Sequence, residues 1–139
     1  MINRVLDLQH LTISHIVVPM ARAATVTIHA PVSEALALCR ERGLSRLPVW
    51  RPDGRTQRVA GIFNVKSLLF RPNLDPQKIV GEFVKPAAFL DADMRLEDAM
   101  RHLQRAGQRL AIVLGRDGQE IGIVSLQDIL KAIFGEVKL

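Results

Sequence analysis

The chain has 139 residues, of which 48% are hydrophobic and 24% are charged, a composition typical of a globular domain. Its 19 lysines and arginines outnumber its 14 acidic residues, and the net charge of +5 favours anionic partners such as nucleic acid, acidic lipid or nucleotide phosphate. The chain has no tyrosine, one tryptophan and five phenylalanines, which supply too few rings for a base-stacking surface and therefore disfavour nucleic acid. The single cysteine, Cys39, excludes an internal disulfide and favours a reducing compartment.

The chain contains an internal repeat. Residues 35–54 align without gaps with residues 99–118, and residues 60–69 align with residues 121–130. The extra residues of the first copy fall in one connection, where a hairpin tip tolerates insertions. The sequence therefore predicts two copies of a unit of roughly 60 residues, related by a pseudo-twofold axis with a cleft at the seam.

Each copy contains the same predicted elements in the same order. The prediction rests on three signals: apolar residues at helical spacing, a glycine after the helix, and an Asp-Gly turn between two short apolar runs. The first copy has an opening strand around 13–18, a helix that starts near Pro31 and ends at Gly43, strands at 47–50 and 59–63, a turn at Asp53 and Gly54, and a second helix capped by Asn64. The second copy has an opening strand around 83–86, a helix from 96 to Gly107, strands at 110–114 and 120–124, a turn at Asp117 and Gly118, and a second helix capped by Ser125.

The fold class that follows is α/β (α+β), with two pseudo-symmetric strand–helix–strand–strand–helix repeats packed through their small sheets. Residues 71–82 contain two prolines and a glycine and are predicted to be a linker. The predicted domains are therefore a first repeat with its lead-in at 1–70, the linker at 71–82 and a second repeat at 83–139.

Two segments, SRLPV at 45–49 and GIVSLQDIL at 122–130, resemble a tandem pair of CBS domains. The opening at 13–20 and the ending IFGE at 133–136 are similar, more narrowly, to the pair of CorC/HlyC-type magnesium and cobalt efflux proteins. The resemblance implies a regulatory module that binds an adenine nucleotide, AMP or ATP with or without magnesium, in a shared cleft. It also implies a homodimer, because CBS pairs often dimerise into flat discs.

The resemblance implies a place in a larger protein. In that family a membrane domain precedes the CBS pair and a C-terminal domain follows it, so we expect an excised regulatory segment on the cytoplasmic face of the inner membrane. The segment itself is expected to be soluble and cytosolic, because no apolar run approaches the ~18 residues of a membrane helix. Residues 1–11 also lack the apolar core of a signal peptide.

Ser125 and Asp128 form the main candidate site. The resemblance implies that the hydroxyl and the carboxylate hold the ligand, with the carboxylate accepting hydrogen bonds from both ribose hydroxyls. The alternative is an ordinary helix start, because a serine cap followed by an acid in the first turn has the same spacing. The first copy has Asn64 and Ser67 at these positions and lacks the carboxylate, so we expect one nucleotide site, built around the second copy.

Arg46 is the second candidate, and the resemblance implies that it reaches the nucleotide phosphates. The alternative is a solvated charge at a strand end. Pro48 predicts a strand-end or edge position, and the backbone beside it lines the adenine pocket in the family. The predicted nucleotide-binding residues are Ile16, Val18, Ser45, Arg46, Leu47, Pro48, Ser125 and Asp128.

The sequence departs from the family pattern at several positions. The family's M-T-P-R run is replaced here by VVPM at 17–20, which lacks the hydroxyl and the arginine. Gly115 and Arg116 stand where acidic residues are usual, and Lys131 stands where a glutamate is usual. These changes bear on nucleotide affinity and on its magnesium dependence, and they keep open the alternative of a ligand-free CBS pair that serves only as a dimerisation module.

The remaining residues favour neither catalysis nor a metal site. The four histidines show no ligand spacing, and no phosphate-binding glycine loop is present. Cys39 lies on the apolar side of the first predicted helix and is interpreted as a core residue. We therefore expect a binding module without catalytic residues and without metal ligands.

Overall fold

The computed structural model describes residues 10–69 and 71–135, so the resemblance at Glu136 lies outside the described residues. These residues divide into two compact units. The central unit is residues 24–87, and the terminal unit combines residues 10–23 with residues 88–135. No helix among the described residues is both long enough and apolar enough to cross a membrane.

Seven strands and three α-helices are present in the described part of the chain. They are β1 (Val18–Pro19), β2 (Val26–Thr27), α1 (Val32–Arg42), β3 (Arg46–Asp53), β4 (Thr56–Asn64), β5 (Ala88–Asp91), α2 (Leu96–Ala106), β6 (Leu110–Leu114), β7 (Glu120–Ser125) and α3 (Leu126–Phe134). Short 3-10 helices lie at Ile13–His15, Met20–Arg22, Val65–Leu68 and Val80–Phe83. The predicted α/β class with two repeats is confirmed.

The central unit is built on a three-stranded sheet in the order β2-β3-β4. Strand β2 runs parallel to β3, and β3 pairs with β4 as an antiparallel hairpin. Leu47, Val49 and Phe63 are fully buried in the core of this unit, together with Val32 of α1. One face of the sheet is therefore covered by α1, and the side chains that alternate with these core residues point to the other face.

The terminal unit is built on a four-stranded sheet in the order β1-β7-β6-β5. Strands β5 and β6 are parallel, whereas β7 is antiparallel to both β6 and β1. Its core includes Leu90 of β5, Leu103 of α2 and Ile129 of α3, all fully buried. The parallel pair β5–β6 and the crossover helix α2 repeat the arrangement of β2, α1 and β3 in the central unit.

The predicted helix ends and hairpin turns are confirmed. Gly43 and Gly107 follow α1 and α2 with φ of 65° each, the left-handed conformation that ends a helix at low cost for glycine. Gly54 and Gly118 occupy the two hairpin turns, also with positive φ. Pro31 was expected in the first turn of α1, but it is the N-cap residue, one position before that turn.

The two predicted opening strands are wrong in position. Residues 13–15 form a 3-10 helix, and only Val18–Pro19 pair with a strand. The segment 83–86 begins at the end of another 3-10 helix and contributes one isolated bridge, between Lys85 and Ile62. The opening strands of the repeats are β2 and β5, and the two residues of β2 are too few to form an apolar pattern.

Each repeat receives the lead-in segment of the other repeat. Val18 pairs with Ile123 in the second repeat, and Lys85 pairs with Ile62 in the first. The segment predicted as a linker also belongs to the central unit, because the backbone N of Val32 donates to the carbonyl oxygen of Lys78 at 2.7 Å and so satisfies a free donor at the start of α1. The predicted boundaries at residues 70 and 83 therefore separate the two repeats along the sequence. The compact units have different boundaries, after residues 23 and 87.

Two glycines permit these lead-in contacts. A Cβ atom at Gly122 would lie 2.2 Å from the carbonyl oxygen of Val18, and a Cβ atom at Gly61 would lie 2.2 Å from that of Lys85. Any other residue would force the two backbones apart. Since each glycine has the same close contact with a carbonyl oxygen, Val18 and Lys85 occupy equivalent positions in the two units.

The second helix of the first repeat is shorter than predicted. Asn64 caps a 3-10 helix at Val65–Leu68, whereas Ser125 caps the longer α3. Pro72 follows closely after the 3-10 helix, and a proline cannot continue a helix because its ring clashes with the preceding turn.

Candidate functional site

Ser125 and Asp128 lie where β7 passes into α3. The backbone N of Asp128 donates to Oγ of Ser125 at 3.0 Å, and the backbone N of Leu126 donates to the carbonyl oxygen of Arg109 at 2.9 Å. The serine therefore acts as a helix cap, as the alternative interpretation required. The cap uses the serine oxygen and a backbone donor, so the Asp128 carboxylate stays available, and it forms no hydrogen bond or ion pair with any residue that the structure describes.

Val18 lies on the same face of the terminal sheet as Ser125. It pairs directly with Ile123, two residues before Ser125 on β7, so the side chains of Val18 and Ser125 are diagonal neighbours. Ile16 is half-buried and packs against the core of the terminal unit. The structure therefore brings four predicted residues into the terminal unit, with Val18 and Ser125 on a common face and Asp128 in the adjoining helical turn.

The other four predicted residues lie in the central unit, at the start of β3. Nη1 of Arg46 donates to Oγ of Ser45 at 3.2 Å, and the carbonyl oxygen of Ser45 accepts from the backbone N of Val65 at 2.9 Å. Arg46 is half-buried and pairs directly with Asn64 on β4. Its guanidinium forms no ion pair with the described residues, so most of its donors stay available.

Leu47 and Pro48 offer a ligand mainly their backbone. The Leu47 side chain is fully buried in the core. Pro48 lies opposite Ile62, whose backbone N and O both bond to Lys85, so the Pro48 backbone faces away from β4. The predicted strand-end or edge position is wrong, because Pro48 is the third residue of β3, the central strand of its sheet. The missing N–H is tolerated there because β2 pairs only with Val49 and Trp50.

The first repeat has a different set of groups at the equivalent helix start. Oδ1 of Asn64 accepts from the backbone N of Lys66 at 3.0 Å, and Oγ of Ser67 donates to the carbonyl oxygen of Asn64 at 2.7 Å. Ser67 replaces the carboxylate, as predicted from the sequence. The sequence reasoning missed that Lys85 is the counterpart of Val18, although the run VVP at 17–19 returns as VKP at 84–86.

Surface cavities formed by described residues lie in both units, apart from the predicted residues. One of about 540 Å³ in the terminal unit is lined by Ser14, Asp91, Asp93 and Arg116, among others, near the end of β6 remote from Ser125. Another, of about 290 Å³, lies in the central unit beside Arg71 and Phe83. None of the eight predicted residues lines either cavity. Within the described residues, no group of three histidine, cysteine or acidic side chains could hold a metal ion.

Cys39 is buried in the core of the central unit, which confirms the interpretation from the sequence. Burial raises the pKa of its thiol, because the apolar surroundings disfavour the thiolate. A neutral buried thiol is a poor nucleophile, so Cys39 has a packing role.

Comparison with known sequences identifies the repeat unit. A family model described as the CBS domain matches residues 13–72 and again residues 80–135. Proteins named magnesium and cobalt efflux protein CorC are similar to the chain: that of Buchnera aphidicola is 25% identical over 139 residues, covering 99% of this chain and 47% of the relative. That of Vibrio cholerae is 25% identical over 140 residues with the same coverage. The chain therefore spans less than half the length of these curated relatives.

Solved structures show the same fold. The CBS domain of a bacterial CNNM/CorC family Mg²⁺ transporter in complex with ATP has a TM-score of 0.84 and 28% identity, covering 98% of this chain and 96% of that one. A second structure of the CBS domain of the bacterial CNNM/CorC family Mg²⁺ transporter has a TM-score of 0.83 and 26% identity, covering 99% of this chain and 84% of that one. A hemolysin-like protein of Oenococcus oeni, at 20% identity and a TM-score of 0.80 over 96% and 98%, shares the fold. Since the two matched segments cover most of its length, the chain belongs to the CBS domain family and carries two CBS domains.

Proposed function

We propose that the chain is the regulatory, adenine-nucleotide-binding module of a CorC/HlyC-like membrane protein for magnesium or cobalt efflux. The observation that carries the proposal is the free Asp128 carboxylate in the first turn of α3, behind a serine cap that does not consume it. A relative with 28% identity over nearly the whole chain has been solved with ATP, which supports a nucleotide as the ligand.

The chemistry of the predicted residues suits an adenine nucleotide. The Asp128 carboxylate accepts two hydrogen bonds from the ribose hydroxyls, and the first turn of α3 adds favourable backbone dipoles for nearby anionic groups. In the terminal unit the apolar Ile16 and Val18 suit an adenine ring, and in the central unit the backbone beside Pro48 is not paired with β4. The Arg46 guanidinium pairs with phosphate oxygens.

The proposed mechanism is allosteric. A bound ligand favours one conformation of the module, and the attached membrane and C-terminal domains of the parent protein respond to that shift in population. The module acts by binding and not by catalysis, and it lies on the cytoplasmic face of the membrane. The parent protein, its ion and its location are part of the proposal, because the chain spans less than half of the relatives it matches.

Calorimetry and thermal-shift measurements with AMP, ADP, ATP and S-adenosylmethionine, each with and without magnesium, test the proposal. We expect AMP or ATP to bind and to raise the melting temperature, since a ligand specific to the folded state stabilises it. Arg46→Ala should weaken ATP binding, whereas Arg51→Ala on the exposed hairpin of the same unit should not. A response to none of the four compounds would leave the dimerisation module as the function.

The proposal includes a homodimer. Leu69 and Phe134 are 72% and 65% exposed at the ends of the second helical segments of the two repeats, an unusual exposure for large apolar side chains. Sedimentation equilibrium with and without ATP should give twice the mass of the chain. A monomer at all concentrations would exclude the homodimer and, with it, the ligand-free dimerisation alternative.

A further inference from the structure

Three polar side chains of the central unit share one face of its sheet. Directly opposed residues of an antiparallel pair point to the same face. Arg46 lies opposite Asn64, and Lys85 lies opposite Ile62, two residues before Asn64 on β4. Because the intervening Phe63 points into the core, Arg46, Asn64 and Lys85 all lie on the opposite face.

Both cations lie within reach of Asn64. In antiparallel sheets directly opposed Cβ atoms are about 5 Å apart and diagonal neighbours about 7 Å apart, and long side chains span the diagonal. Arg46 is the direct neighbour of Asn64, and Lys85 is its diagonal neighbour across the other edge of β4. Lys85 is exposed, and Arg46 and Asn64 are half-buried, so each of the three side chains keeps part of its surface accessible to solvent.

The three side chains offer donors that the described residues leave unused. Oδ1 of Asn64 already accepts from the backbone N of Lys66, so its NH₂ group is the remaining polar group of the side chain. Neither Arg46 nor Lys85 forms an ion pair with a residue in the described part of the chain. Two cations beside one amide donor form a surface that attracts an oxyanion.

The equivalent face of the terminal unit carries an acidic group in place of the two cations. Val18 replaces Lys85, Leu110 replaces Arg46, and the adjoining helical turn contributes the Asp128 carboxylate. A carboxylate suits hydroxyl groups and repels phosphate, whereas an ammonium and a guanidinium suit phosphate. The two units therefore differ in charge at matching positions, one suited to ribose and the other to phosphate.

We propose that the face formed by Arg46, Asn64 and Lys85 binds a phosphate group of a polyphosphate, with Lys85 as a specificity-determining residue. The polyphosphate is either the triphosphate of the bound nucleotide, in which case the inference rests on the proposed function, or a free polyphosphate. In the first case Lys85 makes the module prefer ATP to AMP, because AMP carries one phosphate and ATP carries three.

Calorimetry with ATP, AMP and inorganic tripolyphosphate, at constant ionic strength, tests the inference on the whole chain. Lys85→Gln should weaken ATP and tripolyphosphate binding about tenfold, the worth of one charge-assisted hydrogen bond, and should leave AMP binding unchanged. Lys85→Arg should restore most of the affinity. Lys78→Gln is the matched control, since it removes an exposed lysine from the same unit and should have no effect. In NMR spectra, tripolyphosphate should shift the side-chain amide signals of Asn64.

Competition distinguishes the source of the phosphate. Tripolyphosphate that displaces ATP shares the site of the nucleotide triphosphate, whereas simultaneous binding of both identifies a separate polyphosphate site. ATP binding that depends on Asp128 but not on Lys85, together with an unshifted Asn64 amide, would overturn the inference and leave the proposed function intact. Tripolyphosphate binding that depends on Lys85, in a chain that binds no nucleotide, would overturn the proposed function alone.

Discussion

Oγ of Ser125 accepts a hydrogen bond from the backbone N of Asp128 at 3.0 Å, so the serine supports the helix while the aspartate side chain stays free. The cap that stabilises the start of α3 and the proposed acceptor for the ribose are therefore different side chains of one turn. Ser125→Ala should lower the free energy of unfolding by about 1 kcal/mol, the usual cost of a lost N-cap, and the melting temperature by about 4 °C. Urea unfolding followed by circular dichroism measures this loss.

Asp128→Asn should lower ATP affinity and leave stability almost unchanged. The backbone donor and the serine cap remain, so the urea midpoint should change little, whereas ATP affinity should fall about tenfold to a hundredfold with the loss of charged acceptors. Asp98→Asn is the control, since it removes an acid from the first turn of α2 and should leave ATP binding unchanged. Equal ATP affinity in the wild type and Asp128→Asn would show that this carboxylate does not hold the ligand.

Val18→Thr should increase nucleotide affinity. Val18 is half-buried on the same sheet face as Ser125, and threonine keeps the β-branched shape while adding a hydroxyl. One added hydrogen bond predicts a gain of about fivefold in ATP affinity by calorimetry. Val17→Thr is the control, because Val17 packs against the core of the terminal unit and its hydroxyl should lower stability without any gain in affinity. A weaker ATP complex in Val18→Thr would argue against a ligand at this position.

Gly122→Ala should destabilise the terminal unit. The new Cβ would lie 2.2 Å from the carbonyl oxygen of Val18, so β1 must move away from β7. We expect a loss of about 2 kcal/mol in urea unfolding, within the range for overpacked sites, together with weaker ATP binding as Val18 is displaced. Gly54→Asn at the hairpin tip, with φ of 63° and open space around it, should be tolerated. An unchanged urea midpoint in Gly122→Ala would contradict the close pairing of β1 with β7.

Cys39 should react with a thiol reagent far more slowly in the folded chain than in urea, because the thiol is buried and its pKa is raised. The folded state favours the neutral thiol, so its contribution to stability is present at neutral pH and is lost as pH rises from the ordinary thiol pKa through the raised one. The difference in urea midpoint between the wild type and Cys39→Ala should therefore shrink in the alkaline range. Equal reaction rates in the folded and unfolded chain would contradict the burial.

Local signals in the sequence were sufficient for the helices, the hairpins and the helix caps. Gly43 and Gly107 terminate their helices through their own backbone freedom, and Asn64 and Ser125 cap through their own side chains. Each of these features depends on residues a few positions apart, so a single sequence and its repeat reveal them.

The contacts between segments far apart in the chain could not be predicted from the sequence pattern. Two-residue strands such as Val26–Thr27 have no periodicity, and their existence depends on the neighbouring strand that pairs with them. The equivalence of Lys85 and Val18 could not be predicted for the same reason. It depends on the contacts of Gly61 and Gly122 with the carbonyl oxygens of these two residues.

The exchange of lead-in segments sets the order in which the chain can fold during synthesis. The central unit is contiguous, so all of its strands and the segment around Lys85 that pairs with β4 have been made once Ala87 has left the ribosome. Residues 10–23 are made first but cannot pair until β7 emerges at Glu120–Ser125. Since contacts of large sequence separation carry the greatest loop-closure entropy, the terminal unit is the later one to fold. A nascent chain that stops before β7 leaves Val18 without its strand partner.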